Sequence, residues 1–308
     1  MEAAYRIALH DGRLARRAAE ALERLADCRL CPRRCGVDRR AGERGFCRTG
    51  RHARVASAHP HFGEEAPLVG ERGSGTVFFS SCNLFCLFCQ NFEISHGNEG
   101  EEVSDERLAE ILLALQAMGC HNINFVTPSH VVPQILAAVA LAAARGLEVP
   151  LVFNTGGYDL PETLVLLDGI VDLYMPDVKF WDPEVARRSC QAPDYPAVAR
   201  AALKEMHRQV GDLVLDERGI ARRGLIVRHL VLPGGLAGTR EVMRFIAREI
   251  SPRTYVNLMS QYRPCGRASE IEGLERPVSV AEFRQAVEVA QAEGVTRLDR
   301  LAARVRRP

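Results

Sequence analysis

The chain reads as an α/β protein built on a parallel sheet, and three observations predict it. Short β-branched and aromatic runs at 76–80, 122–126, 151–154, 171–175, 225–232 and 254–258 alternate with stretches of helical periodicity at 105–118, 132–145, 161–167, 183–210 and 239–250. Strands separated by helices of that length pair in parallel, because the crossover helix carries the chain back across the sheet face. The strand-like runs also end in residues suited to chemistry, which is where parallel βα folds gather reactive groups. Six such units are too few to close an eight-stranded barrel at normal tilt.

Taken in order, residues 2–27 carry helical periodicity through Ile7, Leu14, Ala18, Leu22 and Leu25. Residues 28–67 are rich in Gly, Arg and Cys with few apolar runs, and read as irregular. Pro193 and Pro196 should break the long helical stretch at 183–210, since proline cannot continue a helix. The chain closes with a helix at 280–292, Gly294 and an Arg-rich basic tail reaching Pro308. The expected division is 1–66, a helix with a four-cysteine metal-binding module; 67–265, the βα unit; and 266–308, a helical segment with the tail.

Bulk properties exclude some classes. With 308 residues and 47% hydrophobic content the chain can bury a sizeable core. It has no apolar run of membrane-spanning length, and its start is charged and alanine-rich rather than signal-like. A net charge of +1 argues against a polyanion-binding surface, so no membrane or nucleic-acid partner is expected. Seven of the ten cysteines fall in two tight clusters, which read as metal ligands in a reducing compartment, the cytoplasm. Only Lys179 and Lys204 are lysines among 40 basic residues, which singles out the amine in Asp177-Val178-Lys179.

The first cluster to weigh is Cys82, Cys86 and Cys89, a C-x3-C-x2-C loop directly after the 76–80 strand. Three thiolates can hold three irons of a cubane and leave the fourth iron open. The second is Cys28, Cys31, Cys35 and Cys47, a C-x2-C-x3-C-x11-C set. Four thiolates at such spacing make a zinc site or hold an iron–sulfur cluster, and the polar segment around them needs a metal staple.

The triplet, with Phe88 in its aromatic slot and the ending Cys89-Gln90-Asn91, resembles the radical S-adenosylmethionine superfamily. The longer run from His61-Phe62-Gly63-Glu64-Glu65 through Gly73-Ser74-Gly75-Thr76 to the triplet resembles homologues of the pyruvate formate-lyase activating enzymes, over about residues 28–265. The resemblance implies a partial (β/α)6 barrel of TIM type. It implies a 4Fe–4S cluster on Cys82, Cys86 and Cys89 that binds S-adenosylmethionine and, on one-electron reduction, cleaves it to a 5′-deoxyadenosyl radical. Phe88 would pack near the adenine. Asn154, Thr155, Met175 and Asp177 match positions that contact the cofactor and build a monovalent-cation site, with Asn154 standing where the family has aspartate. Lys179 would meet the methionine carboxylate, and Arg228, in the Arg-His-Leu-Val-Leu-Pro-Gly run, would contact the cofactor. Thr127-Pro128-Ser129-His130 replaces the family's Gly-Gly-Glu element, so backbone near Val126 and Thr127, with Ser129 or His130, stands in as ligand for the methionine amine. The implied partners are an electron donor such as flavodoxin or ferredoxin and a protein substrate carrying a glycine. Radical modification of a peptide, RNA or small molecule, and a metal-stapled binding protein without turnover, are the alternatives.

Overall fold

The computed structural model describes residues 1–299, so the end of the expected basic tail, 300–308, lies outside the described residues. Ten strands form one sheet: β1 (Ala53–His61), β2 (Ser74–Phe79), β3 (Glu101–Val103), β4 (Ile123–Val126), β5 (Leu151–Thr155), β6 (Leu173–Pro176), β7 (Val214–Leu215), β8 (Ala221–Leu230), β9 (Tyr255–Met259) and β10 (Arg297–Leu298). Their order is β10-β9-β8-β6-β5-β4-β2-β1-β3, with β7 paired to β8 off this path. Pairing is parallel from β2 through β10 and antiparallel at the β2–β1 and β1–β3 edge. The protein is therefore a mixed α/β fold with a mostly parallel sheet.

The crossovers are the expected helices. Asp105–Ala117 starts on the Ser104 hydroxyl, which accepts from Arg107 N, a cap that satisfies an otherwise orphaned amide. Val132–Ala144 follows β4, and its near-continuous apolar sequence is buried on both sides. The long stretch at 183–210 does break into Pro183–Cys190 and Tyr195–Val210, with a proline in the first turn of each piece, where its missing N–H costs nothing.

Three readings are corrected. The stretch at 28–67 is not irregular throughout, because β1 runs along β2 from Val55 to His61. Its sequence of small and polar residues carries no apolar alternation, and the pairing comes from the two strands beside it. The two-residue β10 adds to the β9 edge inside what read as tail. The boundary expected at residue 66 falls between paired strands, and Tyr5, Ala8 and Leu14 of the N-terminal helices join the same core as Val77, Phe125 and Leu136.

Beneath the carboxyl ends of the strands lies an apolar layer of Val152, Leu173, Met175, Ile226 and Tyr255. β2 and β9 stand five strands apart along the parallel order, roughly 24 Å in a flat sheet. Phe78 and Met259 from these two strands nonetheless line one cavity of about 240 Å³, so the sheet curls around it.

Candidate active site

The cavity sits at the carboxyl ends of the parallel strands, on top of that apolar layer. Cys82, Cys86 and Cys89 form one wall, with Phe88 beside them. Asn154, Thr155, Asp177, Lys179 and Arg228 also line it, together with Val126, Thr127 and Gln261. Apart from the candidate amine ligands Ser129 and His130, all but one of the residues expected to contact the cofactor or its cluster thus line one space. The exception is Met175, which is fully buried one layer below, two residues before Asp177 on the same strand face.

The backbone here departs from regular geometry. Ser81, Phe85 and Thr127 take positive φ of 70°, 51° and 61°. Such values cost energy for residues with a side chain, most for β-branched threonine, and they cluster at sites where the surrounding structure enforces them. Leu84 N donates to the Cys82 sulfur at 3.3 Å, and Leu87 N is anchored on Ser189 O at 2.9 Å. At Gly266 a Cβ would lie 2.3 Å from Phe92 and 2.7 Å from Leu87 O, so only glycine lets this crossing segment lie on the cysteine loop. Phe88 packs edge-on to Phe180 and Tyr262, which holds it in place beside the thiols.

The thiols are poor acids as the protein stands. Burial and the neighbouring Cys86 push the Cys82 thiol up to about 12. The hydrogen bond to Cys190, then burial, pushes Cys86 well above the ordinary range. One buried and two half-buried thiols on one loop fit a bound cationic group that takes them as thiolates.

Facing them is a buried charge array. Asp177 receives Lys179 Nζ at 2.5 Å on Oδ2 and Arg228 Nε at 2.7 Å on Oδ1. Arg228 Nη2 donates to Asn154 Oδ1 at 2.7 Å. Burial works to raise the Asp177 carboxyl pKa, but Arg228 and then Lys179 outweigh it and hold it below the usual carboxylate value. For Lys179, burial opposes the charge and Asp177 overcomes it, so the ammonium persists. This is no surface ion pair, since the Lys179 and Asp177 side chains are 17% and 13% exposed.

The same contacts bear on the residues expected to build a monovalent-cation site. Both Asp177 oxygens and the Asn154 oxygen are already met by Lys179 and Arg228, and Met175 is out of reach below. Lys179 and Arg228 thus hold the oxygens of Asp177 and Asn154 that an ion would share.

His130 is corrected too. It turns away from the cavity, its Nε2 bonding Ser80 O at 3.0 Å, and lines a different space with the N-terminal cysteines. Ser129 bonds Thr155 Oγ1 at 2.9 Å. Of the proposed amine ligands, Val126 and Thr127 remain at the rim.

Sequence reasoning missed four contributors. Glu64 approaches Arg228 at 3.6 Å, and Glu65 takes a hydrogen bond from Asn257 at 2.8 Å. Burial raises the Glu65 carboxyl pKa. The pair stood in the quoted His61–Glu65 run, yet nothing in its spacing pointed to β8. The Tyr195 hydroxyl accepts from Lys179 N and bonds Gly156 O and Asp177 O, all at 2.9 Å, locking two site loops together. Arg33, from the N-terminal cysteine loop, donates to Asn83 O at 3.0 Å, Cys190 O at 2.8 Å and Gln191 O at 2.6 Å, and reaches Leu84 O at 3.5 Å. No helix among the described residues is long and apolar enough to cross a membrane.

Comparison with known proteins finds a family and a relative. Residues 76–217 match the radical SAM superfamily. An uncharacterized protein of Methanocaldococcus jannaschii is 32% identical over 273 residues, covering 86% of this chain and 74% of that protein. Among solved structures the chain is similar to a maturase of the FeFe-hydrogenase (TM-score 0.49, 14% identity, 75% of this chain) and to methylornithine synthase (TM-score 0.45, 16% identity, 71% of this chain). It spans 52% and 62% of those two chains.

Proposed function

The chain belongs to the radical SAM superfamily, and from that premise we propose that it is an enzyme whose three-cysteine loop holds a 4Fe–4S cluster and whose cavity binds S-adenosylmethionine. The observation that carries this is the single cavity in which Cys82, Cys86 and Cys89 face Lys179 and Arg228. When bound and reduced by one electron, these cofactors supply a carbon-centred radical that removes hydrogen from a substrate.

The chain's own residues do the rest. Lys179 and Arg228 offer cationic donors to the methionine carboxylate, and Asp177 keeps both charged and aimed. Carbonyls near Val126 and Thr127 accept from the amine. Phe88 presents an apolar flank to the adenine, and the curled sheet keeps water from the reacting atoms. The partial (β/α)6 barrel is the architecture this implies.

The Cys-Gln-Asn ending supports a backbone glycine of a partner enzyme as the hydrogen donor, with flavodoxin or ferredoxin supplying the electron in the cytoplasm. The N-terminal cysteines would carry a separate metal. Reconstituted protein should cleave S-adenosylmethionine under dithionite, and Cys86→Ala should abolish cleavage by removing an iron ligand. An alanine variant that yields 5′-deoxyadenosine at the parent rate would end this reading.

A further inference from the structure

The N-terminal cysteines form a second, enclosed site. Cys28, Cys31, Cys35 and Cys47 line one small cavity, and Arg39 and His130 share its wall. The Cys35 sulfur accepts Phe46 N at 3.3 Å, and a backbone bond from Arg33 acts on Cys31, although burial still pushes the Cys31 thiol up to about 12. At Gly45 a Cβ would come within 2.7 Å of the Cys35 sulfur, so the chain passes too close for any other residue. The four thiols are not drawn together tightly enough to make a ready single-ion site among the described residues.

Arg39 is the unexplained group. It is 1% exposed, and its contacts are Gly50 O at 2.9 Å, His130 O at 2.9 Å and the Cys28 sulfur at 3.8 Å. None of these is a carboxylate, and its Nη2 is buried with no partner at all. A guanidinium cannot shed its proton, and a buried charge without compensation is strongly disfavoured. Neutral thiols do not compensate it. Metal binding strips their protons, and four thiolates around a divalent ion leave two negative charges.

We propose that Arg39 is the built-in counter-ion of an anionic metal–thiolate centre held by Cys28, Cys31, Cys35 and Cys47, its Nη2 donating to a centre sulfur. This rests on reading those four cysteines as metal ligands. The counter-ion also reaches the radical loop, because Arg39 Nη1 holds His130 O and the His130 ring holds Ser80 O, two residues before Cys82.

The test uses full-length protein carrying Cys82→Ala, Cys86→Ala and Cys89→Ala, so that bound metal reports the N-terminal site alone. Zinc alone, or iron with acid-labile sulfide, meets the proposal and names the metal. Neither metal would overturn the underlying reading as well. In that background Arg39→Leu should lose metal to a chelator at about 10- to 100-fold lower competitor concentration, the usual effect of removing a partner behind the ligands. Arg39→Lys should fall between the two. Parent-like metal retention in Arg39→Leu would overturn the inference while leaving the metal site standing. Thermal melts supply a crossover that a packing role would not: Arg39→Leu should melt below the parent when metal is bound and at or above it when metal is stripped. Melting below the parent in both states would also overturn it.

Discussion

The molecule carries two cysteine sites of opposite design. The loop at Cys82–Cys89 offers three thiols to a cavity of about 240 Å³ whose far wall is charged and polar. The N-terminal set offers four thiols to a small enclosed space with one buried guanidinium. Sites that react keep a coordination position open, and sites that staple a fold close all of theirs. The count of thiols and the character of the opposite wall therefore say the same thing twice. On the proposed reading, substrate chemistry would belong to the first site and support to the second.

The largest effect that separates them is metal content. With Cys82, Cys86 and Cys89 all replaced by alanine, cleavage of S-adenosylmethionine should vanish while about one metal centre per chain remains, as four separate thiolates predict. Elemental analysis finding no zinc or iron would collapse the contrast.

Next in size is the charge array. Asp177→Ala leaves Lys179 and Arg228 buried beside each other without their shared anion, a change that costs about 3–5 kcal/mol when a buried pair is broken. Asn154→Ala removes one acceptor from Arg228, about 1–3 kcal/mol. Cofactor titrations should show the larger affinity loss for Asp177→Ala, and affinity should not respond to swapping sodium for potassium, since side chains hold the cation positions. A larger loss at Asn154, or a clear ion preference, would revive a bound-cation site.

A smaller effect tests the link between the sites. Arg33→Lys keeps charge but loses the planar fork that meets several carbonyls at once. Iron should leave the radical loop several-fold faster under chelator, while the N-terminal centre stays loaded. Equal retention would mean the two sites are independent.

The smallest is a pH slope. Burial raises the Asp159 carboxyl to about 6, against the hydrogen bonds from Thr155 and Ser129. The folded state thus holds this proton more tightly than the unfolded chain, whose value is about 3.8. Its contribution is present at low pH and lost as pH rises from about 4 to 6, with a slope of at most about 1.4 kcal/mol per pH unit. Denaturant melts of Asp159→Asn should lack this slope, and an unchanged profile would reassign it.

The parallel strands were legible because β-branched runs and strand-end chemistry follow from local sequence, as with Asp177-Val178-Lys179 after β6. The cysteine sets were legible because spacing along one loop survives folding. Glu64, Tyr195 and Arg33 were not. Each acts across a long sequence separation, Arg33 reaching a carbonyl 158 residues away, and no local pattern marks such a partner. Met175 failed for the opposite reason: strand periodicity gives the face correctly but not the depth of the layer. The strand β1, between β2 and β3, was hidden because its partners, not its composition, make it a strand.

Arg33 also bears on how the protein is built. Its guanidinium joins Asn83 O, present early in synthesis, to Cys190 O and Gln191 O, which are made more than a hundred residues later. Until that distant helix end arrives, the loop bearing Cys82, Cys86 and Cys89 lacks its fastener, whereas the N-terminal cysteines have their neighbours Arg39, Phe46 and Gly50 at once. A growing chain would therefore have most of the N-terminal cavity's wall early, His130 apart, and the fastener of the three-cysteine loop only once residues 190 and 191 are made.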